Sequence, residues 1–318
     1  MDLNKKTATR QSFGEELAEL GKINDKIVVL DADLAGATKT SIFAKEFPER
    51  FFDMGIAEQD MISTAAGFAT CGKIPVAATF AMFATGRAYD QIRNSVCYPN
   101  LNVKIVGTHA GVTVGEDGAT HQMLEDISLM RGLPNMKVLY PSDDIQTRWA
   151  IEEATKIEGP VYVRLCRLAT PAIYEKKNFE FGKAVVHGDG TDATIFASGI
   201  MVSEALKAKE ELEKLGKNVR VVDFHTIKPI DRDVIVKCAK ETKHLISAED
   251  HSIIGGLGSA ISEVLTDEYP AKLTRIGMND VFGRSGKAQD VLDYFELNAE
   301  RIKKVVLCSV TIDVKQKE

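Results

Sequence analysis

Asp53-Met54-Gly55-Ile56-Ala57-Glu58-Gln59, followed further on by Thr79-Phe80-Ala81-Met82-Phe83, is the stretch from which the fold is read. A strand that ends at Gly55 and a helix that begins near Glu58 place this carboxyl at the carboxyl end of a strand, where open α/β sheets build their ligand sites. The two phenylalanines add aromatic faces. A carboxyl beside such faces suits a flat nitrogen heterocycle, because the rings stack on it while the acid exchanges a proton with a ring nitrogen. The same residues also suit a helix-terminal acid favoured by the helix dipole beside two core rings.

Outward from this stretch, apolar runs of strand length alternate with longer amphipathic segments. The first half has strand patterns at Ile27–Leu30, Ile74–Thr79, Val103–Gly107, Lys137–Tyr140 and Val161–Leu165. Between them lie helical patterns at Gln11–Leu20, Glu58–Cys71, Ala88–Val96 and Asp143–Lys156, the last with Ser142 as its expected cap. Such alternation argues for a mostly parallel sheet covered by helices. Pro171–Asp192 is polar and reads as a connection. The rhythm then restarts with strands at Ala193–Ala197, Val219–Asp223, His244–Ala248 and Leu273–Gly277 and helices at Met201–Leu215 and Ser259–Leu265. The chain therefore reads as two consecutive α/β domains with mostly parallel sheets, residues 1–185 and 186–318.

The composition narrows the function classes. With 318 residues, 44% hydrophobic and 27% charged, the chain has the length for two medium globular domains. Forty Lys and Arg against 46 Asp and Glu give net −6 with no basic block, which argues against nucleic acid or an anionic membrane as a partner. Five scattered cysteines, none in a C-x-x-C pair, suggest neither a disulfide framework nor a zinc site. Together with the absence of an apolar signal core in Met1–Lys6 and of a bilayer-length apolar run, this predicts a soluble cytoplasmic protein.

Two glycine motifs are misleading. Gly188-Asp189-Gly190 with Asn218 mimics a metal-diphosphate signature, but in that signature the Asp lies just past a strand's carboxyl end, whereas this triplet precedes Ala193–Ala197. Gly256-Leu257-Gly258-Ser259-Ala260-Ile261 resembles a dinucleotide loop with Ile261 where a small residue belongs. Both read as turns.

Chemistry gathers elsewhere. Gly107-Thr108-His109-Ala110-Gly111 and Gly115-Glu116-Asp117-Gly118-Ala119-Thr120-His121-Gln122 follow the strand Val103–Gly107 and bring two histidines and two acids to the same sheet edge. His109 and His121 lack the spacing of a helical metal pair, so no metal ligand is assigned in this chain.

With these residues in order, the chain resembles the transketolase-like thiamine-diphosphate enzymes, and specifically their pyrimidine-binding and C-terminal domains without the diphosphate-binding domain. The octet Gly115–Gln122 tips the choice from 2-oxo-acid dehydrogenase beta subunits and deoxyxylulose-phosphate synthases toward transketolase. A non-catalytic paralogue is the alternative of another class. The resemblance implies that Glu58 hydrogen-bonds the aminopyrimidine and that Phe80 and Phe83 wall it, with Asp33 a further cofactor contact. It gives His109 and His121 to catalysis, Asp117 with both histidines to the sugar, and Arg167 and Arg10 to the substrate phosphate. It further implies ketol transfer between sugar phosphates, with thiamine diphosphate and Mg2+ held mainly by a separate N-terminal subunit in an α2β2 assembly. Ala57 and Gln59 flanking Glu58, Gly86 where many relatives carry a third aromatic, and Ala37-Thr38 where a phosphate-binding serine is usual depart from the family pattern.

Overall fold

The computed structural model describes residues 1–315. Its strands are β1 (Asp2–Ala8), β2 (Ile27–Asp31), β3 (Phe51–Asp53), β4 (Ile74–Phe80), β5 (Lys104–Thr108), β6 (Lys137–Leu139), β7 (Val161–Arg164), β8 (Ala169–Ala172), β9 (Val185–His187), β10 (Ala193–Ala197), β11 (Val219–Asp223), β12 (Thr226–Lys228), β13 (His244–Ser252) and β14 (Leu273–Met278). Seven form one sheet in the order β12-β6-β7-β5-β4-β2-β3, five a second in the order β14-β13-β10-β11-β9, and β1 pairs with β8. All pairings are parallel except β12 with β6, β9 with β11 and β1 with β8. Two mostly parallel α/β sheets were the expectation.

The pattern of apolar runs explains the layers. All five residues of β2, β5, β10 and β11 are buried, as required of strands covered on both faces. Successive side chains point to opposite faces, so Ile27 and Val29 pack with Phe13, Leu17 and Trp149, whereas Val28 and Leu30 pack with Met61, Ile62 and Ala65. The second of these clusters continues into Phe196, Val222, Phe224 and Leu257, so one core spans both halves of the chain.

Three local expectations need correction. The helix Asp144–Lys156 is capped by Asp143, whose carboxylate accepts from the Gln146 N–H at 2.8 Å, and not by Ser142. Ser142 instead donates to Asp223 at 3.0 Å. Adjacent Ser and Asp both have capping chemistry, and the spacing alone does not choose between them. The expected helix Ala88–Val96 is a short α-turn, Tyr89–Gln91, between π-helical turns at Met82–Arg87 and Ile92–Cys97. The polar stretch Pro171–Asp192 contains β9, and Thr226–Lys228 crosses from the second half to become the edge strand of the first sheet.

Both glycine motifs are turns. Gly188–Gly190 does follow a strand, but β9 runs antiparallel to its neighbour and so ends at the edge opposite the parallel strands' carboxyl ends. The Asn218 N–H bonds Asp192 at 2.8 Å, inside the turn. At the other motif, the first N–H groups of the helix Leu257–Glu268 are already taken. Leu257 and Gly258 donate to the Glu249 carboxylate at 2.6 and 2.9 Å, filling the position where an anion would bind.

A buried charge cluster joins the halves. Arg164, fully buried at the end of β7, donates to Asp126 and Asp250, each at 2.9 Å, and to the Asp250 carbonyl at 3.0 Å. Tyr162 and Tyr140 add hydroxyl donors to Asp126 and Asp250, each at 2.7 Å. Burial pushes the neighbouring Glu249 up to about 7 despite its two N–H partners. A carboxyl whose pKa rises on folding contributes stability below its unfolded value near 4.5 and loses it as pH rises through about 7. At about 1.4 kcal/mol per unit, this amounts to a few kcal/mol between pH 5 and 8. Glu249→Gln should flatten that loss. Denaturant midpoints at the two pH values measure it, and an unchanged difference in the variant would reject the assignment; Asp223, raised to about 6 by burial, keeps some slope.

Candidate active site

The parallel strands β2, β3, β4, β5 and β7 end at Asp31, Asp53, Phe80, Thr108 and Arg164, and these ends and the segments leaving them carry the candidate residues except Arg10, which lies in the helix Thr9–Ile23. Glu58 is the first residue of the helix Glu58–Thr70 and is 2% exposed. Its Oε1 accepts from Arg87 Nη1 at 2.8 Å, and the Arg87 guanidinium lies 4.4 Å from the centroid of the Phe83 ring. The Phe80 and Phe83 rings stand 5.8 Å apart at an interplanar angle of 12°, so two nearly parallel faces adjoin the buried carboxyl's partner. Arg87 has no role in the sequence reading. Phe83 and Arg87 have the four-residue spacing of helical neighbours, but the pairing of Arg87 with Glu58 joins residues 29 apart in the chain and is a tertiary contact.

His109 stacks on Phe80 with centroids 3.9 Å apart. Its Nε2 lies 3.3 Å from Arg10 Nη1 and its Nδ1 2.9 Å from Thr108 Oγ1. A guanidinium can only donate, so Nε2 accepts and the proton sits on Nδ1, facing Thr108. Thr108 in turn reaches the Thr79 carbonyl at 3.3 Å, which closes the chain of donors. Burial, then the charges of Arg10 and Arg167, lower the His109 pKa to about 3. His109 is thus a neutral ring that orients Arg10, whose Nη1 also holds the Ala37 carbonyl at 2.9 Å.

His121 meets the edge of Phe83 at 5.3 Å between centroids and bonds Thr120 at 2.9 Å. Arg167 is anchored to the same loop through the Val114 carbonyl at 3.0 Å and Glu116 at 3.2 Å. Glu58, Phe80, Phe83, His109, His121 and Arg10 are therefore linked by direct contacts, either to one another or through Arg87, and Arg167 acts on this group through its charge. Asp117 is exposed on the loop, among the described residues without a side-chain hydrogen bond. Asp33 stands apart: it is exposed at φ 62°, with its N–H on Asp53 at 3.1 Å. The organiser of its loop is Asp31, fully buried and accepting from Leu34, Thr38 and Thr40 at 2.7–2.8 Å. That loop explains one departure noted above, because the Thr38 hydroxyl is turned onto Asp31.

The donor set suits an aminopyrimidine, with paired aromatic faces and a buried carboxyl at a helix start. Among the described residues no group of three or more His, Cys, Asp and Glu is placed to hold a metal ion, and no helix is long and apolar enough to cross a membrane.

Comparison with known proteins gives concordant results. The transketolase pyrimidine-binding domain matches residues 5–172 and the transketolase C-terminal domain residues 182–302. A putative transketolase C-terminal section of Methanocaldococcus jannaschii is 54% identical over 302 residues, covering 94% of this chain and 95% of that protein. A 6-deoxy-6-sulfo-D-fructose transketolase subunit of a Clostridium strain is 42% identical, covering 92% and 91%. Human transketolase is 39% identical over 96% of this chain, which spans only 49% of that enzyme. A solved split-gene transketolase, described as an inactive beta4 tetramer, superposes with a TM-score of 0.89 at 52% identity, covering 96% of this chain and 98% of that one.

The hydrogen-bond logic at His109 generates a direct test. Nitrogen-detected NMR should show a neutral ring protonated at Nδ1 throughout pH 5–8, because a pKa of about 3 lies far below that window. A titration midpoint near 6.5 would reject the assignment. Arg10→Ala should move the midpoint upward by removing the second-largest cause of the depression.

Proposed function

The chain belongs to the transketolase family, and we propose that it is the C-terminal subunit of a two-chain transketolase that moves a two-carbon ketol unit between sugar phosphates. The observation that carries this reading is the buried Glu58 beside the parallel rings of Phe80 and Phe83, at the carboxyl edge of a sheet within the matched pyrimidine-binding region. Its near-complete overlap with a relative named as a C-terminal section, and half-length overlap with human transketolase, supports a separate diphosphate-binding chain as partner. That chain would hold most of the Mg2+ and diphosphate contacts. Five free cysteines fit the reducing cytoplasm.

When bound, thiamine diphosphate supplies the nucleophilic carbon that cleaves and rebuilds the sugar's carbon–carbon bond. Glu58 would hold a proton at the pyrimidine ring, which makes that carbon acidic enough to ionise. Phe80 and Phe83 would wall the pyrimidine and exclude water. His121, beside Phe83, would carry protons at the sugar's oxygens, with Asp117 on the same loop and His109 stacked on Phe80. Arg167 and Arg10 offer two guanidiniums to the substrate's anionic end, chemistry that would take a sulfonate as well as a phosphate. A cofactor gripped at one end by each chain lies across a subunit interface, and two such sites about a two-fold axis give the α2β2 assembly.

This chain alone should be inactive, and mixing it with the diphosphate-binding chain, thiamine diphosphate and Mg2+ should restore ketol transfer. Glu58→Gln should assemble normally yet lose orders of magnitude in turnover, since an amide cannot exchange the proton. Near-normal turnover by the folded variant would reject the role. Arg167→Ala removes a charge-assisted contact of roughly 1.5–3 kcal/mol, so its KM should rise about ten- to a hundredfold for phosphorylated sugars and little for unphosphorylated ones. An equal loss for both would show that Arg167 does not read the anion.

A further inference from the structure

Four successive residues of the second half, Gly283-Arg284-Ser285-Gly286, lie along the loop Val112–Gln122 in reversed order. A methyl group at Gly283 would overlap Gln122 Oε1. The Arg284 carbonyl accepts from Gln122 Nε2 at 3.0 Å. A methyl group at Gly118 would overlap Ser285 Oγ, and one at Gly115 would lie 3.3 Å from the Gly286 carbonyl and 3.5 Å from the Ala288 nitrogen. Gly115 and Gly118 both have φ near +80°, at 84° and 75°, so the loop has the shape and the missing side chains that this close approach demands.

Gln122 is the pin. It is 4% exposed, and its amide also donates to the Val112 carbonyl at 3.2 Å. One side chain thereby ties the first residue of the loop, its last residue and the second half of the chain. The Gln122 N–H and the His121 N–H both reach the Gly118 carbonyl, at 3.2 and 3.0 Å, so the turn carrying His121 hangs directly on this pin. Asp117 and the Val114 carbonyl that anchors Arg167 lie on the same loop.

We propose that the C-terminal half of the chain positions the substrate: Gly283–Gly286, acting through Gln122, fixes the loop that presents Asp117 and His121 and seats Arg167. Gln122 is a positioning residue and touches no reacting atom. The fixing of the loop stands on the contacts above, and its consequence for sugar binding rests on the function proposed in the preceding subsection. Cofactor binding is expected to feel it only weakly, through the edge contact of His121 with Phe83, because Glu58, Phe80 and Phe83 themselves lie on other segments.

Two variants approach the pin from opposite sides: Gln122→Met removes both donated hydrogen bonds at similar volume, and Gly283→Ala pushes on the Gln122 amide from the second half. In the unmixed chain, hydrogen exchange of residues 112–122 should accelerate about tenfold in both, while β5 and β10 keep their protection. In the complex with the diphosphate-binding chain, KM for the sugar phosphate should rise about tenfold while the dissociation constant of thiamine diphosphate changes less than twofold. Unchanged exchange in both variants would overturn the proposal, and so would a loosened loop with unaltered KM. Loss of protection throughout the chain would also count against it, since it would make Gln122 a general stability residue. If the unsubstituted complex transfers no ketol unit, the functional reading fails, and the exchange experiment still decides whether the pin holds the loop.

Discussion

One buried guanidinium holds this architecture together. Arg164 ends β7, an interior strand of the first sheet, and binds carboxylates from two places far apart in the chain, Asp126 in the first half and Asp250 in the second. All three side chains are fully buried. Desolvation makes such a cluster a weak source of net stability, yet removing one partner leaves a buried unpaired charge at a cost of about 3–5 kcal/mol. Its effect is geometric. Tyr140 and Tyr162 each donate to the same carboxylate oxygen that Arg164 holds, on Asp250 and Asp126 respectively, and the Arg164 guanidinium lies 4.4 Å from the Tyr140 ring centroid. The cluster therefore specifies one arrangement of the halves.

The site depends on that arrangement. Arg167 follows Arg164 by three residues, and the loop Val112–Gln122 leads into Met123, whose carbonyl lies 3.4 Å from Arg164 Nη2. Asp250, the second-half acid, crowds Gly111, which has φ 72° and cannot carry a side chain there without meeting the Asp250 carboxylate. Groups proposed to hold the sugar and its anion are thus built on the interface between the halves. Those proposed to hold the pyrimidine lie on β4, the turn after it and the start of the helix Glu58–Thr70.

This division explains what could be read in the sequence. The placement of Glu58, Phe80 and Phe83 at the sheet's carboxyl edge was legible because each depends on its own strand end and on local spacing. The strands were legible for the same reason, since a buried parallel strand shows itself as an apolar run. Arg87 was not, because its contact with Glu58 joins residues 29 apart in the chain. Arg164 was hidden inside the apolar run Val161–Leu165, with partners 38 and 86 residues away. Glu249 was hidden likewise: the glycine motif could be refused for its missing small residue, but that a carboxylate of the same chain fills the helix start is a tertiary fact.

The crossing of β12 has a consequence in time. The outer edge of β6 is covered only when Thr226–Lys228 pair with it. A ribosome makes β6 long before those residues, and at about 5–20 residues per second the edge stays open for several seconds. An open strand edge is a template for pairing with any other extended chain. The nascent protein is most vulnerable in that interval, when its first sheet is nearly whole and its last strand has yet to be made.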